Sequence, residues 1–393
     1  MLNSNRNAIC TVRLKERYTR YMNKPRVAIV HDWLTNMGGA EVVVLALAEA
    51  FPGAPIYTST YVPEKMSAFK NLDIRTTRLQ KMSGPMAKLH KFLPTLRVKA
   101  FKELDLSEYD IIISSSSAEA KQVRKTRPDQ VHICYCHTPI RYYWSHYEEY
   151  RRDPGFGKLN WLVRLTMPVL IPRQRKLDYQ AAQNVDVFLA NSTETQKRIK
   201  QFYNRSSTVV YPPVDTKLYS PERERQDYFV TVGRQVPYKH HDLAVAACTE
   251  LNVPLYVFGN GPEHQKLVKM AGKNVTFYTD RSGDASDENL RKTLESAGGF
   301  IFPSEEDFGI VSVEALAAGA PVIGYAKGGT TDIVQDGETG VLFKEQSAEA
   351  IKAAIQKVKT MQFFPSKLNR TARRFDKTLF ITKIRKIVAD NVK

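Results

Sequence analysis

From Arg26 onward the chain alternates short apolar runs with helix-forming stretches, and it does so in two successive series. The first comprises VAIVHDW (27–33), a Gly38-Gly39 turn, AEVVVLALAEAF (40–51), PIYTSTY (55–61), IIISSS (111–116), VHICYCHT (131–138), DVFLA (186–190) and STVVY (207–211), which Pro212-Pro213 ends. The second restarts at Asp227 with YFVTVG (228–233), a helix from His241 to Leu251, PLYVFG (254–259), NVTFYT (274–279), a helix around Asp287 to Ala297, GFIF (299–302), PVIGY (321–325) and GVLF (340–343). Strand and helix in turn mean a parallel sheet with helices on its faces, because a parallel pair needs a crossover long enough to hold a helix. Two α/β halves with doubly wound, Rossmann-like sheets follow. The expected divisions are an N-terminal extension (1–24), an N-terminal Rossmann-like domain (25–215), a C-terminal one (216–372) and a terminal amphipathic helix (373–393) that packs back across the domains.

The length of 393 residues suits two such domains rather than one core. No apolar run is long enough to cross a bilayer as a helix. The first 24 residues mix Asn, Arg, Lys and Tyr without the apolar stretch of a secretory signal, and they are expected to be disordered. Of the four cysteines, only Cys134 and Cys136 are close, too close for a usual zinc knuckle, so a reducing compartment fits best.

A formal net charge of +17 calls for an anionic partner. Between Arg78 and Lys102 stand Arg78, Lys81, Lys88, Lys91, Arg97, Lys99 and Lys102 without one acid, interleaved with apolar residues such as Phe92 and Phe101. Basic amphipathic helices broken near Pro94 suit a lipid interface, which makes Lys81, Lys88, Lys91, Phe92, Arg97 and Lys99 membrane-facing candidates. The same pattern equally suits a helix whose apolar side joins the core. Arg141 to Lys176 adds Tyr142, Tyr143, Trp144, Trp161 and Leu165 among many cations, as interfacial surfaces do. Single-stranded nucleic acid could use similar residues, but no RNA- or DNA-binding spacing supports that, and no nucleic-acid partner is expected.

Four motifs fall at expected strand ends, where open α/β sheets bind ligands. In FPSEEDFGIVSVEALAAG (302–319), Glu306 lies on a loop and Glu314 near the start of a helix expected over Val313 to Ala318. The N–H groups of Phe308, Gly309 and Ile310 can meet an anion, while the two carboxylates can accept from sugar or ribose hydroxyls; both can also be merely solvated. In GRQVPYK (233–239), Arg234 and Lys239 can neutralise the two phosphates of a nucleoside diphosphate, or can equally be solvated loop cations. The Gly259 and Gly261 turn suits a nucleotide base or ribose edge, and Gly38 and Gly39 suit backbone approach to a diphosphate. His137, in CHTPIR, can hydrogen-bond a sugar hydroxyl, although a lone histidine is more often structural; His31 and Asp32 carry the same reservation. No Asp-x-Asp, His-Glu-x-x-His or Walker pattern is present, so no metal and no cofactor are expected.

Together FPSEEDFGIVSVEALAAGAPVIGY, GRQVPYK, CHTPIRYYW, ANSTETQKRI, VVYPPVD and MGGAE resemble glycosyltransferase family 4, over Arg26 to about Val388. The resemblance implies a GT-B fold, two Rossmann-like domains facing across a cleft, and a retaining sugar transfer. CHTPIRYYW with GRQVPYK is similar to bacterial mannosyltransferases of O-antigen and exopolysaccharide assembly. That likeness implies GDP-mannose as donor, a polyprenyl-diphosphate-linked saccharide as acceptor, and a cytoplasmic enzyme peripheral on the inner face of the plasma membrane. Residue by residue, it gives Arg234 and Lys239 the diphosphate, Glu314 the donor ribose and Glu306 the transferred sugar. It gives the Phe308 to Ile310 backbone the sugar hydroxyls and phosphate, His137 the donor sugar, and Gly38 and Gly39 an N-domain phosphate loop. His240 stands where many relatives are expected to carry arginine. Competing classes are another GT-B enzyme using UDP-glucose or UDP-N-acetylglucosamine, a nucleotide-sugar epimerase, and a non-catalytic basic binding protein.

Overall fold

The computed structural model describes residues 25–81, 94–152, 160–221, 224–279 and 286–392. The extension over residues 1–24, and Lys88, Lys91 and Phe92, lie outside the described residues. The chain forms two compact units: one holds the chain up to Leu189 with Ile199–Ser207 and the stretch from Ile384, the other holds Ala190–Arg198 with Thr208–Lys383.

The N-terminal sheet is built from β1 (Val27–His31), β2 (Ile56–Thr58), β3 (Ile74–Thr76), β4 (Ile111–Ser116), β5 (Val131–Cys136), β6 (Val187–Ala190) and β7 (Thr208–Val209). Its order is β3-β2-β1-β4-β5-β6-β7. β1 pairs in parallel with both β2 and β4, so the strand order reverses between β1 and β4 and sets their carboxyl ends at a topological switch point. Strands β1, β4 and β5 are buried along their whole length, which is why they read as unbroken apolar runs rather than alternating ones. β3 escapes that reading because it is a short, largely exposed edge strand.

The second sheet contains β8 (Gln226–Val232), β9 (Leu255–Phe258), β10 (Val275–Tyr278), β11 (Ala297–Phe302), β12 (Val322–Tyr325) and β13 (Gly340–Phe343), in the order β10-β9-β8-β11-β12-β13. Here β8 pairs with β9 and β11, which places the switch point between β8 and β11. Alternate residues of the same strands feed two cores. Val230, Phe300 and Val322 pack with Val313 and Leu316 on one face, and Phe229, Ile301 and Ile323 pack with Val245 and Ile355 on the other. Such double coverage is the doubly wound arrangement, and each fully buried aliphatic or aromatic side chain contributes about 1.5–3 kcal/mol.

Two helices differ from the sequence reading, and a third is one that it did not anticipate. The helix Ile310–Ala317 starts earlier than Val313, because Gly309 adopts φ 97° as its N-cap. The helix Asn160–Gln183 runs unbroken through Pro168 and Pro172. Both prolines are exposed, so the carbonyls they leave unpaired lie on the solvent side. In the helix Pro94–Lys102 the apolar side joins the core, with Val98 and Phe101 buried. Arg97 is therefore not membrane-facing. It is 2% exposed and grips Glu119 with Nε at 2.6 Å and Nη2 at 2.9 Å, because a guanidinium on the inner side of the helix needs a bidentate acid. Lys81 and Lys99 are exposed. Tyr143 is buried too, and the Trp144 indole donates to Asp178 at 2.8 Å, so these two aromatics serve the interior and not an interface.

Candidate active site

The loops after β8 and β11 leave the second sheet side by side at its switch point. The first leads through Gly233 and the exposed Arg234 to a single 3-10 turn, Pro237–Lys239. The second carries Ser304 and Glu306. Lys239 Nζ meets Glu306 Oε1 directly, and Ser304 Oγ donates to the same carboxylate oxygen at 3.1 Å. Both charged side chains are under one-fifth exposed, 17% and 18%. In such a half-dehydrated place a charge-assisted hydrogen bond is stronger than on open surface. Two of the residues chosen from sequence are thus in contact.

Gln235, which the sequence reading passed over, joins the β8 loop to the loop after β9. It is fully buried; its Nε2 donates to Gly259 O at 2.8 Å, its backbone N–H donates to Asn260 O at 3.0 Å, and its Oε1 lies 2.8 Å from His264 Nδ1. Gly259 and Gly261 make this approach possible. A Cβ at either would lie 2.3 Å from a carbonyl oxygen, that of Gly233 or Gln235, and Gly259 also has φ 113°. These glycines pack loop on loop.

The β11 loop is held from a second direction. Arg198, on the helix Thr193–Tyr203, reaches Asp307 Oδ1 at 2.6 Å, Glu305 Oε1 at 3.4 Å and Glu194 Oε1 at 3.1 Å. Thr193 fixes the start of that helix by donating its N–H and hydroxyl to Asp332 at 2.7 and 2.6 Å. Gly329 N donates to Glu306 O at 2.8 Å, and a Cβ at Gly328 would lie 2.2 Å from that oxygen. Phe308 is buried and stacks with Tyr211, whereas Gly309 and Ile310 begin the helix whose first N–H groups have no intrahelical acceptor.

Glu314 follows in the next turn, half-buried. Burial pushes its carboxyl up to about 7, the Asp287 charge adds to the rise, and a Tyr219 hydrogen bond opposes it. Among the described residues, the buried polar atoms near these loops without a hydrogen-bond partner include His241 Nε2, Ser312 Oγ and Thr330 Oγ1. His241 Nε2 lies 3.4 Å from where a Gly233 Cβ would be. Burial, then the Lys239 charge, hold its imidazole down to about 4, so it is neutral near pH 7. Sequence offered no sign of His241 beyond its place after Lys239.

Gly38, Gly39 and His137 belong to the first unit. Gly38 is the N-cap of the helix Gly39–Ala50 in extended conformation. His137 directly follows β5; it is 8% exposed, and its Nε2 lies 2.7 Å from Ser115 Oγ near the end of β4. Ser115 is also the partner of His31, whose Nδ1 donates to Ser115 O at 3.1 Å and whose Nε2 lies 3.4 Å from Glu41 Oε1. Burial resists protonation of His31, but the Glu41 hydrogen bond and charge outweigh it and raise its pKa. Asp32 has a structural task, accepting from the N–H groups of Ser117, Ala118 and Ala120 at 2.7 to 2.9 Å.

Among the described residues no group of three or more His, Cys, Asp or Glu side chains could hold a metal ion, and no helix is long and apolar enough to cross a membrane. A surface cavity of about 530 Å³ beside Pro262, Lys266 and Met270 contains none of the residues above.

Residues 37–218 match the family model described as Glycosyltransferase Family 4, and residues 217–375 match Glycosyl transferases group 1. Together the two models cover residues 37–375, so the chain is built from a glycosyltransferase family 4 domain followed by a glycosyl transferases group 1 domain. Relatives include a GDP-mannose-dependent alpha-(1-6)-phosphatidylinositol monomannoside mannosyltransferase of Mycolicibacterium smegmatis, 28% identical over 47% of this chain and 56% of its own length. An uncharacterized glycosyltransferase of Methanocaldococcus jannaschii is 24% identical over 50% of this chain and 56% of its own. The chain spans little more than half the length of these two relatives. Anabaena HepE, solved in complex with UDP and glucose, superposes with a TM-score of 0.68 over 93% of this chain and 100% of that one, at 16% identity. That likeness is one of fold, and two Rossmann-like parallel sheets in one chain are the GT-B architecture.

Proposed function

We propose that this chain is a retaining glycosyltransferase that moves mannose from GDP-mannose to a polyprenyl-diphosphate-linked saccharide in cell-surface polysaccharide synthesis. The observation that carries the reading is the Lys239–Glu306 contact at the β8/β11 switch point, with Arg234 on the same loop. A cation and a carboxylate side by side suit a ligand with a charged end and a hydroxylated end. Lys239 and Arg234 take the diphosphate, and Glu306 accepts from hydroxyls of the sugar. Charge grows on the diphosphate as its bond to the anomeric carbon breaks, so fixed cations stabilise the transition state more than the ground state. The first N–H groups of the helix Ile310–Ala317 add to that field. With two side-chain cations in that role, the reaction is proposed to need no metal, and chelator would leave the rate unchanged.

The acceptor hydroxyl attacks the anomeric carbon from the face that the nucleotide leaves. Its oxygen forms the new bond to carbon, the bond to the β-phosphate oxygen breaks, and that departing oxygen takes the hydroxyl proton. No carboxylate base is needed, in keeping with the engagement of Glu306 by Lys239. Glu314 accepts from the ribose hydroxyls. Mannose is favoured by the CHTPIRYYW and GRQVPYK motifs and by the GDP-mannose-dependent relative. The test is a donor screen with GDP-mannose, UDP-glucose and UDP-N-acetylglucosamine, reading donor hydrolysis and thermal protection. Selective response to GDP-mannose is expected; selective response to a UDP-sugar would move the donor assignment, and no response to any of the three would overturn the reading.

A further inference from the structure

The helix Asn160–Gln183 has two sharply different sides. Inward, Met167, Ile171, Gln174 and Asp178 are buried. Asp178 fixes that side, since it takes Lys121 Nζ at 2.6 Å, the Tyr203 hydroxyl at 2.7 Å and the Trp144 indole at 2.8 Å. Outward, Trp161 is 65% exposed, Leu162 42%, Leu165 67%, Val169 76% and Leu170 54%. Trp161, Leu165 and Val169 stand at four-residue spacing, which aligns them along one helix face. Scattered exposed apolar residues need no explanation, but five on two and a half turns form a patch that water disfavours.

The outward side changes character along the helix. Its first half is chiefly apolar, with Arg164 and Thr166 also exposed beside the apolar residues; its second half exposes Arg173 and Lys176, and the only acid in the helix is the buried Asp178. We infer that this face docks on an anionic lipid bilayer, with Trp161, Leu165 and Val169 entering the interface and Arg173 and Lys176 meeting lipid phosphates. Charge complementarity favours this occupant over a second copy of the chain. In a two-fold pairing of this face, parallel helices would set cation against cation, and antiparallel ones would bury the cations against apolar side chains. A bilayer surface offers apolar depth and negative charge together, and tryptophan is enriched at that boundary. The proposal moves the lipid contact away from the Pro94–Lys102 helix, whose Arg97 and Phe101 face the core.

The test needs no turnover, so its failure is separable from failure of the donor assignment. Full-length protein is sedimented with phosphatidylcholine vesicles, with and without phosphatidylglycerol. The expected result is binding to the anionic vesicles, lost in Leu165→Glu/Val169→Glu, with Arg173→Glu and Lys176→Glu each weakening it by roughly fivefold or more. These side chains are exposed, so unchanged circular dichroism checks that the variants fold. Quenching of tryptophan fluorescence by brominated lipid should disappear in Trp161→Phe. Unchanged sedimentation of the double glutamate variant, or its conversion of a wild-type dimer to a monomer without an effect on vesicle binding, would overturn the proposal.

Discussion

Arg198 Nη1 donates to Asp307 Oδ1 at 2.6 Å across 109 positions of sequence, so the loop carrying Glu306 is positioned by a helix outside its own motif. Arg198 is 7% exposed and also meets Glu194 and Glu305. Breaking such a buried pair leaves acids unpaired and typically costs about 3–5 kcal/mol. Arg198→Ala should lower the urea midpoint and weaken donor binding, with Arg198→Lys recovering part of the stability but less of the affinity. A variant with wild-type donor affinity would show that the loop does not depend on this residue.

Lys239→Ala and Glu306→Ala should each reduce transfer roughly a hundred- to thousandfold, the usual effect of removing one transition-state contact. Near-UV circular dichroism should remain native. Full activity in either variant would remove both residues from the site.

With Glu314 as the proposed ribose acceptor, both stability and nucleotide affinity should depend on pH. Its folded pKa stands at about 7 against an ordinary 4.5, so the folded chain holds this proton more tightly than the unfolded chain. The sign follows: stability falls as pH rises from about 4.5 through about 7, by at most about 3 kcal/mol, and is level outside that window. Ribose hydroxyls need the ionised form as acceptor, so affinity for the nucleotide diphosphate should rise across pH 7. Glu314→Gln should flatten both profiles, as calorimetric titration and thermal melting at stepped pH would reveal.

Gly261→Ala should be destabilising by about 1–3 kcal/mol, because the added carbon would press on the Gln235 carbonyl. The strain falls on the loop that leads to Lys239, so donor affinity should drop as well, while an alanine at the unobstructed Gly337 position tests φ strain alone. Equal affinity in Gly261→Ala and wild type would mean that the β9 loop does not position the β8 loop.

Much of the architecture was legible because parallel strands buried on both faces must be apolar throughout, as Ile111–Ile113 and Ile301–Phe302 are. What stayed hidden depended on exposure or on partners distant in sequence. β3 lacks an apolar run because it is an exposed edge. The helix Asn160–Gln183 carries two prolines, which matter little where their unpaired carbonyls face solvent. Arg97 looked like one more surface cation in a basic run, since nothing local announces that Glu119 waits on the inner side.

The sequence by itself determined two doubly wound halves and the two glycosyltransferase models that they match. Those properties rest on local periodicity and on residue types near one another in the chain. Only tertiary structure decided that Lys239 and Glu306 touch, that Gln235 and Arg198 brace their loops, and that the apolar side of one basic helix turns inward while that of another turns out. Each of these is a contact between segments far apart in sequence, set by sheet order and burial, and neither is written in any one stretch of residues.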